Sequence, residues 1–428
     1  MGLRLPPVRH HPDGGGGDVI GPNPLRAYGA VTAAYWAFML TDGALRMLVL
    51  LQFNALGFTP VQLAWLFLLY ELAGVVTNLY AGWLAARFGL AATLYAGLAL
   101  QIAALLALAQ LDPGWSVAVS VSFVMAVQGL SGVAKDLAKM SSKSAVKLLA
   151  PDGDGTLFRW VAALTGSKNA VKGLGFFLGA VMLGLWGFQT ALWGMAAVLG
   201  AILIGVVLFL PAGLPARDKG ARFAGWMSPD PRINRLSLAR MFLFGARDVW
   251  FVVGVPVYFQ TVLSDGTPEG RRWAFFAIGG FLALWIILYG AVQAAAPRLI
   301  AVTGPDVVAK ATRWAGYLVP IPFGLALAAW VAGSPADWLT ATLIAGLLLF
   351  GFVFAVNSSV HSYLILAYGD ASRISRDVGF YYMSNAAGRL LGTFLSGLSY
   401  QVGGLPLCLA AAGAMAALSW LAMLRLRG

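Results

Sequence analysis

Nine ionisable residues sit inside long apolar stretches of this chain. Arg46, Lys168, Lys172, Arg240, Arg247 and Arg389 are basic, and Asp42, Glu71 and Asp248 are acidic. A charge at the centre of a membrane helix costs roughly 2.5–3.5 kcal/mol on insertion scales, so such residues are kept for a task. Six cations against three acids leave an excess of positive charge. The chemistry this suits is the passage of an anion whose hydration shell must be replaced by fixed donors.

Arginine fits that work, because its planar fork binds phosphate-like oxyanions through two parallel hydrogen bonds and stays protonated. Arg46 and Arg247 lie in different halves of the sequence and could grip opposite ends of one dianion. Alternatively each pairs with its own acid, Asp42 four residues before Arg46 on the same helix face and Asp248 beside Arg247. Lys168 and Lys172, also four apart, repel each other and call for an anion, or one snorkels while the other pairs with Glu71 or Asp248. Glu71 and Asn78 lie near one face. Asn357 and His361 share another, and His361 is the only histidine in an apolar run. Its intrinsic pKa suits proton sensing or transfer, although a histidine bonded to a neighbouring helix is the plainer alternative. Asn385 and Arg389, with Tyr381 and Tyr382, line a cavity or form a gate, or simply pack. Substrate contacts are therefore sought at Arg46, Arg247, Lys168, Lys172, Asn357, His361, Asn385 and Arg389. Charge partners or proton carriers are sought at Asp42, Glu71, Asp248 and His361. Gln128 is a weaker candidate, and Arg240 is expected to snorkel to one end of its helix. Lys135, Lys139, Lys143 and Lys147 form a helical stripe that rests on anionic headgroups or makes a positive vestibule.

The elements that must position these residues are membrane helices. Of 428 residues, 60% are hydrophobic and 11% charged, with a mean hydropathy of +0.79. Those values exclude a soluble globular domain. The net charge of +12 is then a matter of topology rather than of nucleic-acid binding. Apolar runs predict twelve spans, at about 27–54, 61–85, 90–110, 115–137, 157–186, 190–211, 235–263, 273–296, 314–332, 338–368, 378–402 and 405–425. Outside the spans, all basic residues but Arg271 and Arg272 fall on the side of the first residues, which places both termini in the cytoplasm of a multi-pass inner (plasma) membrane protein. Residues 1–25, with Gly14 to Gly17 and several prolines, read as a disordered cytoplasmic tail, and His10 and His11 there as incidental. Residues 26–211 form an N-terminal six-helix half, 212–234 a Pro-, Gly- and Arg-rich cytoplasmic linker, and 235–428 a C-terminal six-helix half. GALR (Gly43 to Arg46) in the first span and GARD (Gly245 to Asp248) in the seventh hint at a repeat between halves, a plan that encloses a midplane site.

GWLAARFG (Gly82 to Gly89) resembles the loop motif of the major facilitator superfamily. Gly82, Arg87 and Gly89 fit this gating loop, whereas Ala86 stands where that family usually has Asp. Four further segments, Ala33 to Phe53, Gly129 to Trp160, Leu164 to Gly179 and Asp377 to Phe394, resemble the ArsJ-type organoarsenical efflux permeases of that superfamily. The similarity runs from about residue 26 to 428. It implies an all-α major facilitator fold of twelve helices. It also implies export of 1-arseno-3-phosphoglycerate, the ester made when a glyceraldehyde-3-phosphate dehydrogenase uses arsenate in place of phosphate. That enzyme would be a functional partner, and the ester releases arsenate outside the cell.

No metal-ligand spacing, Walker loop or nucleophile elbow occurs in the sequence, so no cofactor or metal is expected. A single cysteine, Cys408, cannot supply the several thiolates that a soft arsenic centre wants. Two rivals stand beside the ester permease: a general organophosphate or phosphate exchanger of the same fold, and a membrane-embedded enzyme acting on a phosphoester or lipid.

Overall fold

In the computed structural model, residues 24–149, 156–209, 228–299, 307–368 and 374–427 are described. All the secondary structure among them is helical. The first six helices are α1 (Pro24–Ala55), α2 (Pro60–Phe88), α3 (Leu90–Leu108), α4 (Val117–Leu149), α5 (Thr156–Trp186) and α6 (Phe188–Phe209). Then follow α7 (Pro231–Leu263), α8 (Pro268–Leu299), α9 (Val307–Ala332) and α10 (Asp337–Tyr368). A last helical stretch of 54 residues, Ile374–Arg427, is broken at Gly403 and Gly404, where φ and ψ leave the helical region. A straight helix of that length would reach about 80 Å, against about 30 Å of hydrocarbon. It therefore crosses twice, as α11 (374–402) and α12 (405–427). Twelve crossings result among the described residues, in two groups of six, as the hydropathy pattern predicts.

Helix ends follow local chemistry. Asp230 caps α7, accepting a 2.8 Å bond from the Arg232 amide, and Pro231 occupies the first turn, where a missing N–H costs nothing. Gly89 joins α2 to α3 at φ 85, a left-handed conformation that favours glycine. The GWLAARFG segment is therefore the last turns of α2 and a one-residue corner, not an extended loop. Two spans are interrupted. Pro320 breaks α9 after Leu318, and α7 carries a π-helical turn at Trp250–Gly254. That turn releases backbone groups from their usual partners. Ser396 Oγ on α11 accepts from the Val253 and Gly254 amides at 3.1 Å each, and the Cys408 thiol on α12 donates to Val249 O.

Several boundaries differ from the hydropathy reading. The segment 138–156, expected as a polar connection, continues α4 as far as Leu149. Hydropathy marks where the apolar slab ends, and the Ala, Lys and Leu residues beyond it are good helix formers that extend the helix into the polar zone. The expected linker 212–234 shortens, because α7 already starts at Pro231; residues 212–227 lie outside the described residues. So do 1–23 of the expected tail, with His10 and His11.

The apolar core is asymmetric across the membrane. On the side remote from the ends of the chain, one continuous cluster joins both groups of helices, from Met47 and Phe53 on α1 through Trp250 and Phe259 on α7 to Leu347 on α10. On the side of the chain ends it splits in two. Tyr35, Phe38, Leu98 and Ala138 form a cluster confined to the first six helices, and Leu236, Ala311, Leu364 and Met423 one confined to the last six. A cavity occupies the gap.

Candidate functional site

The cavity has a volume of about 230 Å³ and is walled by α1, α2, α4, α5, α7, α8, α10 and α11. Among the described residues, those of α3, α6, α9 and α12 contribute nothing to it. From the first group of helices come Arg46, Lys135, Lys139, Lys168 and Lys172; from the second come Arg240, Arg247 and Arg389. Asp248 is the one acid on its surface among the described residues. Cationic side chains from both groups thus converge on a single chamber.

Close backbone contact sets this geometry. A Cβ on Gly43 would sit 2.6 Å from Lys172 O, so α1 and α5 touch backbone to backbone beside two of the cations. At the equivalent place in the second group, a Cβ on Gly245 of α7 would sit 3.2 Å from Gly388 O on α11, next to Arg389. The GALR and GARD segments thus pack on corresponding helices, five and eleven, and each presents its arginine to the chamber.

Three carboxylates stand behind the cations. Glu71 on α2 is fully buried and shared: Arg46 Nη1 donates to one oxygen at 2.9 Å, and Arg389 Nη2 lies 2.7 Å from the other. This ion pair ties the two groups of helices together. Asp42 takes Lys172 Nζ at 2.8 Å and the Tyr70 hydroxyl at 2.5 Å. Asp136 on α4 takes Lys139 Nζ at 2.6 Å and the Thr77 hydroxyl at 2.5 Å, while Lys139 also donates to Asn78 Oδ1 at 2.7 Å. Across the chamber, Arg247 Nε donates to its neighbour Asp248 at 2.6 Å.

This wiring differs from the local pairing considered for the sequence. Asp42 does not hold Arg46 four residues away but reaches Lys172 on α5, and Arg46 goes to Glu71 instead, because bundle packing sets the partners. Lys172 takes neither Glu71 nor Asp248. Arg247 does pair with Asp248. Lys168 and Asn385 reach the chamber. Asn357 and His361 do not: both are fully buried within the second group of helices, where Asn357 Nδ2 donates to Trp314 O at 2.9 Å. Gln128 is buried outside the chamber as well. Tyr382 lines the chamber, whereas Tyr381 turns into the apolar cluster.

Arg240 does not snorkel. It is 5% exposed, lies over the Phe244 ring at 4.2 Å, and donates to Ser358 O and Oγ at 2.8 and 3.0 Å. Lys135 and Lys139 are not headgroup contacts either, since both face the chamber. The side chains of Lys143 and Lys147 lie outside the described residues. Asp136 escapes a hydropathy reading as an intramembrane acid, because the apolar run of its helix ends beside it; its place in a lysine stripe of period four is the available signal.

Residues 31–365 match the family model described as Major Facilitator Superfamily. The chain belongs to that superfamily. It is a polytopic membrane protein of the transporter class rather than an enzyme, and its task is to move a small substrate across a bilayer. Solved structures show the same fold at low identity. A mutant form of the nucleoside transporter NupG is 14% identical with a TM-score of 0.68, over 95% of this chain and 99% of that one. A POT family transporter in complex with a thioalcohol-conjugated peptide is 13% identical with a TM-score of 0.72, over 92% and 95%. The human organic anion transporter MFSD10 (TETRAN) is 16% identical with a TM-score of 0.60, over 94% and 100%. No curated protein matches the chain.

Proposed function

We propose that this superfamily member exports a small organic polyanion through the central chamber by alternating access, and that the substrate is 1-arseno-3-phosphoglycerate, with an arsenate ester at one end and a phosphate at the other. The observation that carries the anion reading is the lining of the chamber, with eight basic side chains and one acid among the described residues of its surface. Such a lining repels cations and replaces the hydration of phosphate- or arsenate-like oxygens with fixed donors. The split of the apolar core on the side of the chain ends corresponds to a chamber entered from that side. With the termini in the cytoplasm, as the distribution of basic residues indicates, that entrance suits an exporter. Cys408 is buried and donates to Val249 O, away from the chamber, which leaves an oxyanion ester rather than thiolate-bound arsenite as the form of arsenic carried. The identity of the ester rests on the resemblance of the four segments to organoarsenical permeases, with a glyceraldehyde-3-phosphate dehydrogenase as its supplier.

The test is arsenate tolerance in cells stripped of other arsenic exporters. Tolerance should rise only when this chain and the dehydrogenase are expressed together. Because the donors read oxyanion charge and shape, a general organophosphate exchanger is the second reading. It predicts equal exchange of phosphate esters in sealed everted vesicles and no rise in tolerance with the pair. Tolerance conferred by this chain alone would reject the ester as the required substrate.

A further inference from the structure

We infer that the primary contacts for the two charged ends of the substrate are Lys135 on α4 and Arg240 on α7, rather than the midplane pair Arg46 and Arg247. The inference rests on the anion-transport reading above and assigns its two anchor points.

The chamber cations differ in whether a carboxylate already lies at hydrogen-bond distance. Five chamber cations already hold a carboxylate: Arg46 and Arg389 hold Glu71, Lys172 holds Asp42, Lys139 holds Asp136, and Arg247 holds Asp248. A ligand oxygen must compete with those carboxylates, and stripping one away exposes a buried acid, which is costly. Among the described residues, Lys135 and Arg240 have no carboxylate at hydrogen-bond distance, although the charges of Asp136, Glu71 and Asp42 act on Lys135 from farther away. Lys135 is 5% exposed, and its ammonium, buried to the last atom, makes no hydrogen bond to them. Arg240, equally buried, spends one nitrogen on Ser358, and its Nε makes none.

Each of the two rests on aromatic faces instead. Lys135 Nζ lies 4.0 Å from the Tyr70 ring centroid, and the Arg240 guanidinium lies 4.2 Å from that of Phe244 and 5.0 Å from that of Tyr381. An aromatic face steadies a cation without cancelling its charge. A buried ammonium with three donors and no acceptor is expensive to keep, and an arriving anion gives it what it lacks. The two residues line one chamber from opposite groups of helices. A ligand bearing an anion at each end therefore bridges the groups, whereas a ligand charged at one end engages only one of them. This selects for short organic phosphate esters with a second anionic terminus.

Binding to the purified full-length protein in detergent tests this, with 3-phosphoglycerate as the two-ended probe and glycerol 3-phosphate as the one-ended probe, read by titration calorimetry. The wild type should bind the two-ended probe at least about tenfold more tightly. Lys135→Gln and Arg240→Gln should each abolish that preference, and Lys135→Arg and Arg240→Lys should restore part of it, which separates loss of contact from loss of fold. Retained preference in both Gln variants, with loss in Arg46→Gln and Arg247→Gln, overturns the assignment and leaves the anion reading intact. Failure of the wild type to bind either probe overturns both.

Discussion

The wall of the chamber built by α1, α2, α4 and α5 keeps three carboxylates, Asp42, Glu71 and Asp136, directly behind its cations. The facing wall, from α7, α8, α10 and α11, has only Asp248 as an acid among the described residues that line the chamber, and its surface is aromatic: Phe244, Phe251, Trp285, Tyr289 and Tyr382. Its Arg389 therefore borrows Glu71 from the opposite wall. The first wall pairs three of its cations, Arg46, Lys139 and Lys172, with its own carboxylates and leaves Lys135 without one at hydrogen-bond distance. The second depends on what faces it, which is Glu71 of the opposite wall for Arg389 and, in the proposed transport, the anion for Arg240. A rocking transporter needs such an unequal arrangement, because contacts across the gap must be made and released while contacts within each wall persist.

Among single substitutions, Glu71→Gln should have the largest effect. It leaves Arg46 and Arg389 facing each other without a carboxylate, and removing one partner of a buried pair costs about 3–5 kcal/mol. Thermal unfolding in detergent should show the largest drop of any single charge change in the first wall. A melting point equal to wild type would remove Glu71 as the tie between walls.

Next come the two equivalent glycines. Gly43→Ala drives a Cβ against the rigid Lys172 carbonyl and should destabilise by about 1–3 kcal/mol. Gly245→Ala should cost less, because its backbone neighbour is farther away and the other obstruction is the flexible end of Met415. Denaturant midpoints of the two variants check the order, and the reverse order would sink the account of the α1–α5 contact.

Arg46→Lys and Arg247→Lys keep charge but lose the fork. Each should lower transport about tenfold, the value of one charge-assisted hydrogen bond of about 1.5 kcal/mol, while membrane insertion is unchanged. Wild-type vesicle transport in both would show that neither arginine contributes geometry to the chamber.

The smallest expected effect lies outside the chamber. The bond from Arg232 holds Asp230 below the usual carboxylate range. A lowered folded value means that its contribution is present above the unfolded pKa, about 3.9, and is lost as pH falls through the folded value. Asp230→Ala should cost about 1 kcal/mol at neutral pH. That deficit should shrink on acidification toward about pH 3, as followed by melting temperature.

Much of the architecture was legible in the sequence, because a bilayer demands about twenty apolar residues per crossing and the chain supplies them twelve times. The break at Gly403 and Gly404 was visible as a gap between two runs. The length of α4 was not, since hydropathy reports the slab and not the helix; Asp136 at the edge of the apolar run was passed over, and Lys135 and Lys139 stayed open between anionic headgroups and a positive vestibule, of which the chamber decides for the second. Candidate cations were legible by type and depth. Their partners were not: Asp42 to Lys172 and Glu71 to Arg389 join residues 130 and 318 positions apart, and only packing decides such pairs. His361 looked attractive for its chemistry, yet its side chain is fully buried away from the chamber, while its neighbour Ser362 on the same turn of α10 lines it.

In the proposed mechanism one chamber between the two groups of helices holds a ligand with an anionic group at each end. A cryo-electron microscopy structure of the full-length protein with 3-phosphoglycerate tests it most directly. The account predicts ligand density in the chamber with one anionic end at Lys135 Nζ and the other at the Arg240 guanidinium, and with the Glu71 and Asp42 ion pairs still in place. Density outside the chamber, or none there at saturating ligand, would contradict it.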